Sequence, residues 1–176
     1  MGEKDQPRPL TTSRPALLSE GSDYVFREMI RELVDFAGRL QEIREAIARA
    51  MGLTPPQYNI LMTLSQMGGD VTVTDLADRL RVSVPFIVTE TRRLDTLGLL
   101  EKRGDPVDRR RVNLVLTQQA LTALNDIAPL QVRVNDILFQ TLGGRDLKSI
   151  SRVTHGLLGS CDDALNEALA GGQPGR

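Results

Sequence analysis

The stretch of sequence that decides the fold is Thr72–Gly98, which reads TVTDLADRLRVSVPFIVTETRRLDTLG. Its first residues form a capping box, with Asp75 in the position that Glu or Gln usually takes, and this predicts a short helix over Val73–Leu80. After a tight turn, Ser83 is a typical N-cap. This cap predicts a second helix over about 84–97, and Gly98 is a typical residue to end it. Two short helices joined in this way form a helix-turn-helix.

The second helix has two different faces. At about 100° per residue, Ile87, Thr91 and Leu94 lie on one side, which we predict to be buried. The outward side offers arginines that can each donate twice to guanine, a threonine hydroxyl for a base edge, and apolar groups for a thymine methyl. That chemistry suits the major groove of double-stranded DNA, although an ordinary solvated helix surface is the alternative. The candidate DNA-contacting residues here are Ser83, Pro85, Phe86, Thr89, Arg92 and Arg93.

A β-hairpin, or wing, is predicted after the helix-turn-helix. The segments 99–103 and 112–116 are suitable strands, and Gly104-Asp-Pro between them is typical of a turn. The returning side carries a cluster of guanidinium groups that fits the narrow minor groove and its phosphates. The cluster consists of Arg109, Arg110 and Arg111, and Asp108 is predicted to support an arginine by a charge-assisted hydrogen bond.

The charge distribution agrees with this interpretation. The segment Arg79–Arg111 holds nine basic and five acidic residues, a net charge of +4, whereas the whole chain of 176 residues carries −1. A basic segment on an otherwise acidic protein is typical of a phosphate-binding face. A solvated charged surface would have the same composition, so charge alone does not decide between them.

Long amphipathic helices flank this central part. Apolar residues at steps of three and four predict a helix that begins at the N-cap Ser22 and stops at Gly52. Since a small domain cannot cover such stripes at both ends of the chain, we predict that they pack against a second copy in a homodimer. The first 21 residues lack this periodicity and are predicted to be a flexible arm. Further helices are predicted over about 54–67, 117–139 with a kink at Pro129, and 147–169.

The central motifs resemble the MarR family of transcriptional regulators. The resemblance rests on Val73–Leu80, Arg93-Leu94, Leu97-Gly-Leu99 and the Asp108-Arg-Arg110 sequence of the wing. It implies a mainly α fold with a small β wing, a winged helix-turn-helix with long N- and C-terminal dimerisation helices. The implied organisation is a flexible arm at 1–21, a dimerisation region at 22–52 and 117–170, and a DNA-binding domain at 53–116.

The resemblance also implies a function. A ligand-responsive repressor would bind a pseudo-palindromic operator as a homodimer and be released by a small effector, such as an aromatic acid or its thioester. Because Val84, Phe86-Ile87 and Thr89 depart from residues frequent in the family, the operator sequence cannot be transferred. The implied effector-binding candidates are Phe36, Arg39, Leu40, Tyr58 and Met62. The alternative is that Tyr58 and Met62 are core residues and Arg39 a surface residue.

Other functional classes find less support in the sequence. One histidine, His155, and one cysteine, Cys161, supply no nucleophile–base set and no metal-ligand cluster, so we predict neither an enzyme, a metal site nor a cofactor. Cys161 could sense oxidants, but a buried thiol on an apolar helix stripe is the commoner arrangement. The single cysteine and the lack of a long apolar segment predict a cytoplasmic protein without a membrane partner. A winged helix that binds protein and not DNA is the remaining alternative.

Overall fold

The computed structural model describes residues 9–104 and 111–171. In the described part of the chain, the first element is a 3₁₀-helix at Pro15–Leu17, and α-helices and β-strands follow it. The helices are α1 (Tyr24–Ala50), α2 (Pro55–Met67), α3 (Val73–Leu80), α4 (Val84–Thr96), α5 (Gln118–Leu138) and α6 (Gly144–Gly171). The strands are β1 (Val71–Thr72), β2 (Leu100–Gly104) and β3 (Val112–Leu116). The predicted fold class, mainly helical with a small antiparallel sheet, is confirmed.

The sheet has one strand more than the predicted hairpin. Its order is β1-β3-β2, with both neighbouring pairs antiparallel. In the predicted hairpin, Leu100 of β2 lies opposite Leu116 of β3. The additional strand β1 places Val71 opposite Leu114. Because β1 ends where α3 begins, the sheet is joined directly to the helix-turn-helix.

The core of the first compact unit, Met1–Pro129, holds these elements in place. Helix α2 and the two helices of the helix-turn-helix pack their apolar faces on the sheet, and Ala120 closes the core from α5. The N–H of Thr54 donates to Gln57 Oε1 at 3.0 Å, which fixes the start of α2 as the capping box predicts. The buried core consists of Leu53, Ile60, Leu61, Leu64, Val71, Leu76, Ala77, Ile87, Leu94, Leu99, Leu100, Leu114 and Ala120.

The N-terminal segment contacts the start of α1 through Thr11, which the sequence does not indicate. Thr11 donates from its backbone N–H and its hydroxyl to Asp23 Oδ2, both at 2.7 Å, and Arg27 lies 3.1 Å from the other carboxylate oxygen. These hydrogen bonds, that of the hydroxyl first, hold the pKa of Asp23 below its ordinary value of 3.8. The helix begins at Tyr24 with Asp23 as N-cap, so the prediction of Ser22 as N-cap was wrong by one residue.

The second compact unit, Leu130–Arg176, contains the end of α5 and all of α6. The described residues of α6 are all exposed in the single chain, and the apolar ones include Leu157, whose exposed fraction is 55%. Cys161 is exposed as well in the single chain, whereas the sequence favours a buried thiol. No helix in the described ranges is long and apolar enough to cross a membrane.

Candidate nucleic-acid interface

The helix-turn-helix is fixed by caps at both of its helices. Thr72 Oγ1 accepts a hydrogen bond from the N–H of Asp75 at 3.2 Å, and its own N–H and hydroxyl donate to Asp75 Oδ2 at 2.9 and 2.6 Å. Between the helices, Arg81 adopts the left-handed conformation with φ of 54°, which is uncommon for a residue other than glycine. Ser83 Oγ then accepts from the N–H of Phe86 at 3.4 Å and caps α4. These local bonds set the direction of α4.

The two faces of α4 are those that the helical periodicity predicts. Ile87, Thr91 and Leu94 are completely buried. The Thr91 hydroxyl donates to the carbonyl oxygen of Ile87 at 2.8 Å, so the polar group does not disturb the core. The predicted DNA-contacting residues of this region, Ser83, Pro85, Phe86, Thr89, Arg92 and Arg93, are all exposed.

Two of the exposed polar side chains are already engaged within the helix. The Thr89 hydroxyl donates to the carbonyl oxygen of Pro85 at 3.0 Å, which leaves its oxygen lone pairs available as acceptors. Arg93 Nη1 donates to Glu90 Oε1 at 2.6 Å. Glu90 is not among the predicted DNA-contacting residues, and its exposed fraction is only 5%. In the sequence it contributes only to the charge count of the segment Arg79–Arg111.

The wing is connected to the helix-turn-helix through an ion pair. Arg111 Nη2 lies 4.0 Å from Asp75 Oδ2, and the side chain of Arg111 is half exposed. The hydrogen bonds from the hydroxyl and the N–H of Thr72, and then the charge of Arg111, keep the pKa of Asp75 below its ordinary value, although partial burial opposes them. The other predicted wing residues, Asp108, Arg109 and Arg110, lie outside the described residues.

The predicted effector-binding residues differ strongly in exposure. Tyr58 is buried, Leu40 and Met62 are partly buried, and Phe36 and Arg39 are exposed. The guanidinium that lies over the Tyr58 ring belongs to Arg44, with Cζ 5.4 Å from the ring centroid. Arg44 also donates from Nη2 to Asn59 Oδ1 at 2.7 Å. The sequence analysis missed Arg44 because its position on α1 alone does not reveal that it reaches α2.

These elements, a capped helix-turn-helix with an antiparallel sheet behind it, define a winged helix-turn-helix protein. A family model described as the MarR family matches residues 51–111, which cover both helices of the motif. The transcriptional repressor MprA of Escherichia coli is 24% identical over 154 residues, which cover 86% of this chain and 88% of MprA.

Solved structures share the fold. A MarR/EmrR family transcriptional regulator from Acinetobacter superimposes with a TM-score of 0.68 at 16% identity, covering 79% of this chain and 98% of that one. AbsC from Streptomyces coelicolor, a MarR family transcriptional regulator, superimposes with a TM-score of 0.63 at 24% identity, covering 81% and 97%. Residues 51–111 therefore resemble the MarR family of transcriptional regulators in sequence, as the motifs predict, and the described part of the chain has the fold of solved MarR-family structures.

Proposed function

We propose that this regulator binds double-stranded DNA in a sequence-specific manner, with α4 in the major groove and the wing at the adjacent minor groove. The observation that carries the proposal is the composition of the exposed face of α4. It presents Arg92, Arg93 and the acceptor oxygen of Thr89 above a fully buried apolar face. A rigid helix that displays arginines at this spacing has the donors that base edges and phosphates require.

The wing supports the same proposal through Arg111. This guanidinium is half exposed and lies directly before the returning strand β3, beside the N-terminus of α3. Backbone N–H groups at a helix N-terminus favour a nearby phosphate. We infer that Arg109 and Arg110 extend this positive surface towards the minor groove, with Asp108 holding one of them.

We also propose that the regulator acts as a homodimer. Apolar side chains on α1 remain exposed in the single chain, among them Met29 at 42%, Ile30 at 43% and Leu33 at 45%. Contiguous exposed apolar surface of this kind marks an interface, and a two-fold dimer would present two copies of α4 to half-sites about 34 Å apart. The apolar residues exposed on α6 are Leu147, Ile150, Val153, Leu157, Leu158, Leu165 and Leu169.

Light scattering coupled to size-exclusion chromatography tests the dimer. The wild type is expected at twice the mass of the 19.4 kDa chain. Leu157→Glu should shift the protein towards the monomer because it places a charge in the apolar interface. Lys148→Glu changes an exposed charged residue of the same helix and should leave the mass unchanged. A wild type that is monomeric at micromolar concentration contradicts the dimer.

Repression and effector release complete the proposal. The relative MprA is a transcriptional repressor, and a dimer that obstructs a promoter needs no further partner. A small aromatic acid is the proposed effector, because Arg44 beside Tyr58 offers a cation next to an aromatic ring. Binding there would shift the dimer towards conformations whose two copies of α4 no longer match the half-sites.

The decisive experiment measures binding to DNA. The purified protein is titrated into a labelled duplex from upstream of its own gene and into a scrambled duplex of equal composition, at two salt concentrations. We expect tighter binding to the upstream duplex, and weaker binding to both at higher salt because phosphate contacts release counterions. A protein that binds neither duplex at low salt would refute the proposed function and favour a winged helix that binds protein.

A further inference from the structure

The inference concerns Glu90, whose carboxylate lies beneath the exposed face of α4. Its side chain is 6% exposed, and Oε1 accepts the hydrogen bond from Arg93 at 2.6 Å. Its second oxygen, Oε2, is buried and has no hydrogen-bond partner in the described part of the chain. A buried carboxylate oxygen without a partner lowers stability, and an apolar residue often replaces a buried charge without loss. Stability alone therefore does not account for a glutamate here.

The partner of this carboxylate, Arg93, is largely exposed. The side chain of Arg93 is 61% exposed, so one end of the ion pair is fixed by the core and the other reaches solvent. A buried side chain has few rotamers available, and a guanidinium bonded to it loses much of its own freedom before any ligand arrives. Arg93 donates to Glu90 through one nitrogen, Nη1. Arginine has five N–H donors, so enough remain to bond both O6 and N7 of guanine.

We propose that Glu90 is a positioning residue that holds Arg93 in the orientation in which it distinguishes bases in the major groove. This inference rests on the proposed function and names a determinant of its specificity. Glu90 acts in two ways. It limits the conformations of Arg93, and its negative charge weakens attraction of this face to phosphates of any sequence.

The test measures the preference of each variant, which is the ratio of its affinity for a selected duplex to its affinity for a scrambled one. A duplex that the wild type selects from a randomised pool and a scrambled duplex of the same composition are titrated with wild type, Glu90→Gln, Arg93→Ala and the double variant. Losing one oriented arginine–guanine contact should lower the preference for the selected duplex roughly tenfold. We expect this loss in Glu90→Gln, with equal or tighter binding to the scrambled duplex. In the Arg93→Ala background, Glu90→Gln should add nothing, since coupled residues do not act additively.

A matched control removes the same charge from an exposed position of α4. Asp95→Asn should keep the preference within about twofold, because uncompensated surface charges act on all sequences alike. Glu90→Leu serves as a second variant if the Glu90→Gln protein fails to fold. It should unfold at a temperature no lower than that of the wild type and still lose the preference. A purely structural role predicts the reverse for Glu90→Leu, lower thermal stability with the preference retained.

The outcomes separate this inference from the proposed function. If the wild type selects a duplex but Glu90→Gln keeps the full preference, the inference is overturned and the function stands. The inference is also overturned, and the function stands, if Glu90→Gln lowers the preference equally in the wild-type and the Arg93→Ala backgrounds. If the wild type selects no duplex at all, both are overturned.

Discussion

Arg111 Nη2 lies 4.0 Å from Asp75 Oδ2, so the residue directly before the returning wing strand β3 is paired with the first turn of α3. The same carboxylate oxygen accepts the N–H and the hydroxyl of Thr72. One acidic side chain therefore closes the capping box and holds the base of the wing.

We predict that Asp75→Ala lowers the free energy of unfolding by about 0.5–2 kcal/mol, because α3 loses the acceptor that closes its N-terminus. Urea denaturation followed by circular dichroism measures this change. Arg111→Ala removes only the half-exposed ion pair and should cost less than about 1 kcal/mol. Equal losses in the two variants would mean that the ion pair, and not the cap, is the stabilising interaction.

We predict that the stability of the protein falls below about pH 4. The pKa values of Asp23 and Asp75 are both lowered in the folded chain, mainly by hydrogen bonds from Thr11 and Thr72 respectively. Such groups stabilise the fold above the pKa of the unfolded chain, and that stability is lost as the pH falls through the lowered folded pKa. Urea midpoints between pH 5 and about pH 2.5 measure the loss.

The variants Asp23→Asn and Asp75→Asn are the controls for this pH dependence. Each should flatten the acid branch of the stability curve, because one linked proton is removed. An acid branch that keeps its wild-type slope in both variants would assign the acid sensitivity to other carboxyl groups.

Local signals in the sequence predicted the helix-turn-helix because each has its cause within a few residues. The N-cap Ser83 and the glycine after α4 act on adjacent backbone groups, and Gly98, with φ of 69°, ends the helix as predicted. The three-residue spacing between Thr72 and Asp75 likewise fixed the start of α3. The periodicity of α4 identified its buried face for the same reason.

The features that were missed depend on contacts between distant residues. Strand β1 has only two residues and exists because Val71 pairs with Leu114, which no periodicity can indicate. The order at the N-terminus depends on Thr11 reaching Asp23. Glu90 lies about 60° from Ile87 on the helical wheel. Its charge argued for exposure, and only the packed structure reveals its burial.

We predict that Leu94→Ala lowers the free energy of unfolding by about 2–5 kcal/mol, because it leaves a cavity in a fully buried part of the core. Chemical denaturation gives the value. Leu97→Ala is the matched control in the same segment. Leu97 is 47% exposed, so its loss should change stability by no more than about 0.5 kcal/mol. Similar costs at both positions would contradict the assigned orientation of α4.

We predict that Arg92→Ala and Arg110→Ala weaken DNA binding in different ways. Arg92→Ala should alter the base preference, since the side chain lies on the exposed face of α4. Arg110→Ala should weaken binding to all duplexes and reduce the slope of log K against log salt by roughly 0.9, as expected for one lost phosphate contact. Titrations at several salt concentrations on selected and scrambled duplexes give both quantities.

The control for these arginines is Arg31→Ala, which removes an equal charge from α1, where Arg31 pairs with Glu28 and Asp35. It should retain the wild-type base preference and salt slope. If Arg92→Ala and Arg110→Ala behave like this control, the assignment of α4 and the wing to the two grooves is wrong.

We predict that an aromatic carboxylate such as benzoate or salicylate raises the melting temperature of the wild type but not of Arg44→Ala. The reason is that Arg44 supplies the cation beside Tyr58, and a ligand that binds only the folded state stabilises it. Differential scanning fluorimetry measures the shift. Arg39→Ala removes an exposed arginine of the same helix and should keep the response. A shift that disappears in Arg39→Ala instead would favour Arg39, the candidate that the family resemblance implies, as the residue that binds the carboxylate.

Strand β1 ends at Thr72 and α3 begins at Val73, so no connecting residue separates the sheet from the helix-turn-helix. An inserted residue at this junction would turn α3 by about 100° about its axis and break the hydrogen bonds between Thr72 and Asp75. We therefore expect the sheet and α3 to move as one rigid body, because no linker residue lies between Thr72 and Val73 that could act as a hinge.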